Sequence, residues 1–441
     1  MIKYKSNYCF NNKNGSYLYN STLNKIYKVP DSVLLTVDGM SKGYDKETLY
    51  NYLKSDINAT TVYEIEKMIN DINSENPIYE KYNSNITAVT ILVVQACNFK
   101  CTYCFGDSGE YLDKGIMDLE TGKKTIDFLV ENSKEEKELF ITFFGGEPLL
   151  NYKLIQQLVQ YAHTREQKTN KQFNFGITTN GSLINKDVKN FFVDNKFGVQ
   201  ISIDGNKQSN DYNRFLANGK SAHNKIVNKS LYLIEDAPVS ARATITDHSL
   251  NITENFNFLY GLGFSSIAFA PAYNMINNEH IEILVDEQVK YFLKFKTYLL
   301  DNNLSKCFAM RNVIKFLKLI DNSFPRSHYC SAGKKSIAVD INGNIYPCHR
   351  FVSYKNFCMG NVSNKLVSQF DFSVQSIGRC ENCISKSVCA GACPEESLRA
   401  NNNYLIPMET HCNMMRKITE VALDIYTCLD DKEKKYLKIS K

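Results

Sequence analysis

The stretch Thr87-Ala88-Val89-Thr90-Ile91-Leu92-Val93-Val94-Gln95-Ala96-Cys97-Asn98-Phe99-Lys100-Cys101-Thr102-Tyr103-Cys104 decides how this chain is read. Thr87–Val94 is an apolar, β-branched run of strand length, and it leads into three cysteines spaced C-x3-C-x2-C. Similar strand patterns recur at Leu139–Phe144, Phe173–Thr178, Val199–Ile203, Ala241–Ile245 and Ser265–Ala270. Helical patterns such as Leu154–Ala162 and Val188–Val193 lie between them. Repeated strand–helix units predict an α/β fold over 86–272, a parallel sheet curled into an open or closed barrel. Chemistry in such folds sits on loops at the C-terminal strand ends, and the cysteine loop is the first of them. Three thiolates on one short loop can hold three irons of a four-iron cluster and leave the fourth open. A zinc loop completed by one distant ligand is the alternative.

The rest of the chain flanks this unit. In residues 1–83, Ser16–Tyr19 and Lys25–Val29 read as a hairpin around Asn20–Asn24, followed by helices near Asp45–Leu53 and Val62–Ile72. This predicts a small winged-helix-like α+β module with an Asn/Ser/Glu-rich linker over 71–85. A helical connector over 273–329, carrying Val285–Leu300 and Asn312–Ile320, leads to a loop-rich segment from Cys330 to Cys412 and a closing helix at Met414–Cys428. A segment that buries little apolar surface needs another staple, and metal clusters would serve.

The chain has 441 residues, room for two or three domains, and a net charge of +5, too mild to argue for nucleic acid or an anionic membrane. No apolar run approaches the ~18 residues needed to span a bilayer. The N-terminus, Met1–Phe10, lacks the pattern of a signal peptide. The expectation is a cytoplasmic protein with reduced thiols. Its 14 cysteines then argue for bound metal where they cluster, and for inert buried thiols at Cys9, Cys307, Cys358 and Cys428.

The CxxxCxxC loop at the end of a first barrel strand resembles the radical SAM superfamily. Gly145-Gly146-Glu147-Pro148, ending the second strand, is similar to that family's motif for the amino group of S-adenosylmethionine: glycines permit close backbone approach, and Glu147 can pair with an ammonium. Thr179-Asn180 and Ser202 through Asp204 end the next two strands, where the family contacts the cofactor. Ser202 is then a ribose ligand, and Asp204 either a further contact or a helix cap. Arg242 either meets the cofactor carboxylate or makes an interior salt bridge. Tyr103 takes the aromatic position beside the adenine. The resemblance implies one-electron cleavage of S-adenosylmethionine and a 5′-deoxyadenosyl radical that removes hydrogen from an unactivated carbon, the protein positioning the target.

The spacing Cys330-x12-Gly343-x4-Cys348, then Cys380-x2-Cys383-x5-Cys389-x3-Cys393, then Cys412, resembles the SPASM domain of peptide-modifying radical SAM enzymes. That resemblance implies two auxiliary four-iron clusters, three [4Fe-4S] clusters in all. Cys330, Cys348 and Cys393 go to the first auxiliary cluster; Cys380, Cys383, Cys389 and Cys412 go to the second. A pair of zinc sites is the alternative. No cysteine lies in Ser323–Tyr329, so the first cluster has either an open iron, the economical reading, or a fourth ligand from Cys307 or Cys358. An open iron could bind a substrate thiolate. Anaerobic sulfatase maturases carry Asp directly after the cysteine equivalent to Cys348. This chain has Tyr346-Pro347-Cys348-His349-Arg350-Phe351, which argues against formylglycine formation and resembles thioether-forming SCIFF, ranthipeptide and sactipeptide maturases. His349 either acts as a base or, the favoured reading, hydrogen-bonds cluster sulfurs.

Residues 1–83, with Val37-Asp38-Gly39 between hairpin and helices, resemble a PqqD-like recognition element that takes a leader peptide as an added strand. DNA binding is the competing reading, disfavoured by Glu64, Glu66 and Asp71 on Val62–Ile72. The resulting expectation is a maturase that installs Cys-sulfur-to-carbon thioethers in a Cys-rich precursor peptide, drawing electrons from a flavodoxin or ferredoxin. The alternatives are another peptide or protein oxidation on the same scaffold (a carbon–carbon or carbon–oxygen cross-link, or a dehydrogenation) and a non-enzymatic iron–sulfur or zinc regulator that binds DNA.

Overall fold

A computed structural model of the chain describes residues 1–53, 58–80, 85–111, 113–364, 366 and 368–440. Residues 2–29 form an antiparallel sheet of β1 (Ile2–Tyr4), β2 (Asn7–Asn12), β3 (Gly15–Asn20) and β4 (Lys25–Val29), in chain order. The β3–β4 turn forms because the Asn20 side chain accepts from the backbone N–H groups of Thr22 (3.0 Å) and Leu23 (2.9 Å), while Asn24 takes a left-handed conformation. Helices Asp31–Ser41, Lys46–Leu53 and Ala59–Ser74 cover it, the last capped by Asn58 accepting from Thr61 N at 2.8 Å. Leu18, Val33, Val37, Ile65, Ile69 and Ile72 make its core.

Two expectations need correction here. Val37-Asp38-Gly39 lies inside a helix rather than between hairpin and helices. Gly39 is tolerated there because a Cβ would stand 2.2 Å from Leu49 Cδ1, where two helices cross closely. The last helix runs to Ser74, so 71–74 are not linker. The remainder of that expected linker includes 81–84, which lie outside the described residues.

The middle region forms β5 (Ala88–Gln95), a short β6 (Gly115–Ile116), then β7 (Glu138–Gly145), β8 (Gln172–Thr179), β9 (Gly198–Ser202), β10 (Val239–Ile245) and β11 (Ser266–Pro271). Apart from β6, antiparallel to β5, each pairs in parallel with its predecessor, with helices between. Ile141, Phe143, Ile177, Val199, Ile201, Ala241 and Ala243 are buried against the helical layer. Alternate residues from the same strands, Thr142, Thr178, Gln200, Arg242 and Thr244, line one cavity. Side chains of successive strand residues point to opposite faces, so these polar residues keep the concave side open instead of filling it with core.

Among the described residues the sheet does not close. Beyond β5 the Cys-rich segment adds β12 (Ser336–Val339) in parallel, with Ser336 opposite Ala88 and Val339 opposite Ile91, then β13 (Asn344–Tyr346) and β14 (Gly360–Asn361) antiparallel. This segment is therefore less irregular than its sequence suggests and shares the main sheet. The final long helix begins at Glu409, ahead of the expected Met414, and takes Cys412 into its first turn.

The N-terminal sheet docks on both later parts of the chain. Tyr8 donates its hydroxyl to Asn382 O at 2.7 Å, Asn24 donates to Leu319 O at 2.9 Å and Asn322 O at 2.8 Å, and Asn12 reaches Asp424 and Thr427. Among the described residues no helix is long and apolar enough to cross a membrane.

Candidate active site

The cysteine loop is held in place by backbone. Lys100 N donates to Phe215 O (3.0 Å), Thr102 N to Asn213 O (2.9 Å) and Ala217 N to Asn98 O (3.0 Å), making a short ribbon that presents all three thiols to the cavity. The β8 end adds Asn180, whose Nδ2 donates to Asn98 Oδ1 at 2.8 Å and lies 4.0 Å from Cys97 Sγ. Phe99 N donates to that sulfur at 3.4 Å. Burial pushes the Cys97 thiol up to about 12 and Cys101 to about 11. Bare thiols in this setting are neutral, and a bound cationic group would make them thiolates. Three thiols lining one cavity, with N–H groups directed at Cys97, suit an iron–sulfur cluster.

Gly145 and Gly146 are required by β5 itself. A Cβ on Gly145 would lie 2.1 Å from Val94 O, and one on Gly146 2.1 Å from Ala96 O. Glu147 does not reach the cavity. It is wholly buried, accepting from Thr179 Oγ1 (2.6 Å), Asn180 N (2.7 Å) and Leu149 N (3.1 Å), and burial lifts its carboxyl to about 7. It thus ties the ends of β7 and β8 together. Pro148 follows, buried, at the start of a short helical turn.

Asp204 is likewise behind the wall, accepting from Tyr103 Oη at 2.5 Å and Thr244 N at 2.9 Å. It caps no helix; Asn206 does, accepting from Ser209 N at 3.0 Å. Arg214, which no motif flagged, donates to Tyr103 Oη at 2.6 Å and lies 3.6 Å from Asp204, so a buried triad backs the cysteine loop. Tyr103, Thr179, Asn180, Ser202 and Arg242 all line the cavity, whose volume is about 550 Å³.

The Cys-rich segment supplies a second wall through His349, Arg350, Glu396 and Arg399. His349 packs against the rings of Phe144 (4.6 Å) and Phe105 (5.6 Å), and burial with nearby Arg350 and Arg242 lowers it to about 3. Among the described residues its ring makes no hydrogen bond to another protein group. Arg350 Nη1 lies 2.8 Å from both Glu395 and Glu396, and Arg399 also pairs with Glu395, which is wholly buried.

Seven cysteines of that segment fall into two groups. Burial raises Cys389 to about 12, with Cys380, Cys383 and Cys412 adding to the shift. Burial also raises Cys348 to about 12, helped by Cys330, and raises Cys393, helped by Glu396 and Cys348. Cys307 is fully buried and points at Phe295 O, and Cys358 donates to Gly360 O at 3.3 Å. Among the described residues no three His, Cys, Asp or Glu side chains gather tightly enough for one metal ion; a zinc site would need sulfurs about 2.3 Å from a common centre. His411, unmarked by any spacing, has Nε2 3.5 Å from Cys389 Sγ and Nδ1 3.0 Å from Tyr273 Oη. Tyr273 lines the cavity, so this pair connects it to the second group.

A 4Fe-4S single cluster domain matches residues 87–227. The cysteine-type anaerobic sulfatase-maturating enzyme of Clostridium novyi is 26% identical over 346 residues, covering 72% of this chain and 89% of that enzyme. Among solved structures, native anSMEcpe with bound AdoMet superposes with a TM-score of 0.67 at 18% identity, covering 78% of this chain and all of the other. Streptococcus suis SuiB bound to precursor peptide SuiA gives 0.53 at 17% identity, covering 92% of this chain and 98% of SuiB. The chain shares the fold of these proteins and resembles radical SAM maturases in sequence.

Proposed function

We propose that this chain is a radical SAM maturase that forms Cys-sulfur-to-carbon thioethers in a ribosomally made Cys-rich peptide. One observation carries the reading: the Cys97–Cys104 loop and the His349–Arg350 turn of the Cys-rich segment line one cavity and meet at Phe105. A cluster on Cys97, Cys101 and Cys104 with S-adenosylmethionine would supply, when bound, a 5′-deoxyadenosyl radical able to remove hydrogen from an unactivated carbon.

The chain's residues do the rest. Asn180 and the Phe99 N–H hold Cys97, while the Arg214–Tyr103–Asp204 triad braces the loop and fixes the Tyr103 ring in the cavity wall, where it would meet the cofactor. Gly145, Gly146, Thr179 and Ser202 edge the cofactor's space, with Glu147, Pro148 and Asp204 bracing it from behind. Cys330, Cys348 and Cys393 would hold a first auxiliary cluster with an open iron for the substrate thiol. Cys380, Cys383, Cys389 and Cys412 would hold a second, through which an electron leaves. His349 packs against Phe105 and Phe144 in the cavity wall.

Domain roles follow: leader recognition by 1–83 with β4 as an open sheet edge, radical formation by a partial (β/α)6 barrel over 86–272, a connector at 273–329, and a SPASM domain at 330–428. A ferredoxin or flavodoxin is the electron source. The second reading is a formylglycine-type oxidation, favoured by the similarity to the Clostridium novyi enzyme and opposed by His349 standing after Cys348.

The test is anaerobic incubation of the reconstituted protein with S-adenosylmethionine, a reductant and the short Cys-rich peptide encoded beside its gene, then alkylation and mass spectrometry. Loss of two hydrogens and of one alkylatable thiol per event supports the thioether. Loss of two hydrogens with every thiol still alkylatable rejects it in favour of another oxidation.

A further inference from the structure

Four arginines line the cavity: Arg214, Arg242, Arg350 and Arg399. Three are already neutralised. Arg214 is engaged by Tyr103 and Asp204, Arg350 by Glu395 and Glu396, and Arg399 by Glu395. Arg242 is different. Among the described residues its guanidinium makes no hydrogen bond and no ion pair, although it projects from the middle of β10 and is largely enclosed. The one acid that lines the cavity, Glu396, is held 2.8 Å from Arg350. An enclosed, always-charged group without a counter-ion is costly, and an arriving carboxylate with two parallel acceptors relieves that cost.

The charges around Arg242 show which end of the cavity it serves. Arg350, Tyr329, Glu396 and Arg311, from the connector and the Cys-rich segment, act on it electrostatically. Arg214 has Tyr103, Cys101 and Asp204 as neighbours and stands at the cysteine-loop end. The two cations thus have different surroundings, the cysteine loop for Arg214 and Arg350 with Glu396 of the Cys-rich wall for Arg242, which lies beside Ser202 in the sheet.

We propose that Arg242 is a specificity-determining residue that anchors a carboxylate of the peptide substrate, an Asp or Glu side chain at a fixed distance from the reacting cysteine. This rests on the peptide-maturase reading above. It assigns Arg242 away from the carboxylate of S-adenosylmethionine, the other source of the same chemistry.

The full-length reconstituted enzyme is presented with a display library of random twelve-residue peptides, each with one central cysteine, and captured members are sequenced. In parallel, affinity for radiolabelled S-adenosylmethionine is measured by equilibrium dialysis. The wild type should enrich Asp or Glu about tenfold at one spacing from the cysteine. R242M should lose that enrichment, R242E should enrich Lys or Arg at the same spacing, and R242K should keep a reduced acidic preference. Affinity for S-adenosylmethionine should change less than threefold in R242M. Absence of acidic enrichment in the wild type overturns the proposal without any variant, as does enrichment that survives in R242M. A tenfold loss of S-adenosylmethionine affinity in R242M also overturns it and returns the residue to the cofactor. A wild type that never cleaves S-adenosylmethionine sinks the radical reading and this proposal together. Missing enrichment in an enzyme that does cleave it sinks the proposal alone.

Discussion

The two walls of the cavity are built in opposite ways. The Cys97–Cys104 wall is local: three cysteines lie within eight residues, fixed by a backbone ribbon and by the ends of neighbouring strands. The Cys330–Cys412 wall is assembled at a distance, by strand pairing to β5, by buried ion pairs at Glu395, and by docking of the N-terminal sheet on Asn382. A local loop depends on its own spacing and rests on a rigid sheet. A dispersed wall depends on everything that packs against it, so damage there should spread into stability, while damage to the loop should stay with the chemistry.

Replacing Cys97, Cys101 and Cys104 together by serine gives the sharpest break. Cleavage of S-adenosylmethionine should fall by at least about 10³-fold and iron by about a third, while the melting midpoint barely moves and the peptide is still captured. A large drop in the midpoint would erase the contrast between the walls.

On the dispersed wall, Glu395→Ala leaves Arg350 and Arg399 facing each other across a buried space. Their partial exposure softens the cost, and about 2–3 kcal/mol of stability should be lost in urea unfolding at pH 7, with Glu395→Gln losing less. Little change would mean that this wall is not held by its ion pairs.

The brace behind the local wall should respond to pH. Glu147 is raised from 4.5 to about 7 by burial, so the folded state holds its proton more tightly than the unfolded chain does. Its contribution to stability is complete below about pH 4.5 and is lost as pH rises through about 7, a span worth up to about 3 kcal/mol. The difference between wild type and Glu147→Gln should follow that slope in urea titrations at pH 5 and pH 8; parallel curves would refute it.

The smallest effect is expected at Tyr8→Phe, which removes one hydrogen bond to Asn382 O between Cys380 and Cys383. About 1 kcal/mol should be lost. Iron held by the Cys380 group should leave faster to a chelator, with iron on the Cys97 loop unaffected. Equal acceleration at both places would show that the N-terminal sheet does not act on the dispersed wall.

The same contrast governs how much the sequence discloses. C-x3-C-x2-C, GGEP and the parallel strands are legible because each is a short-range pattern, set by spacing or by apolar alternation. β12 is four residues, Ser336–Val339, too short to tell from loop until β5 is found beside it. The helix at Asp31–Ser41 is masked by Pro30 at its start and Gly39 near its end, both of which read as breakers. Glu147 and Asp204 were found, but their job as braces depends on partners a strand or more away. Arg214 carries no motif, and Glu395 and His411, although beside Cys393 and Cys412 in the chain, find their partners Arg350, Arg399 and Cys389 only in the fold.

The parallel pairing of β12 with β5 also sets a timetable. β5 leaves the ribosome early, and its second neighbour is encoded only after the whole barrel has been made. At about 5–20 residues per second, tens of seconds pass with Ala88–Ile91 as a raw sheet edge, free to pair with another nascent chain. Yield at high expression rates should therefore be limited by what shields that edge, and slower translation or a bound chaperone should recover more protein than any change to the finished surface.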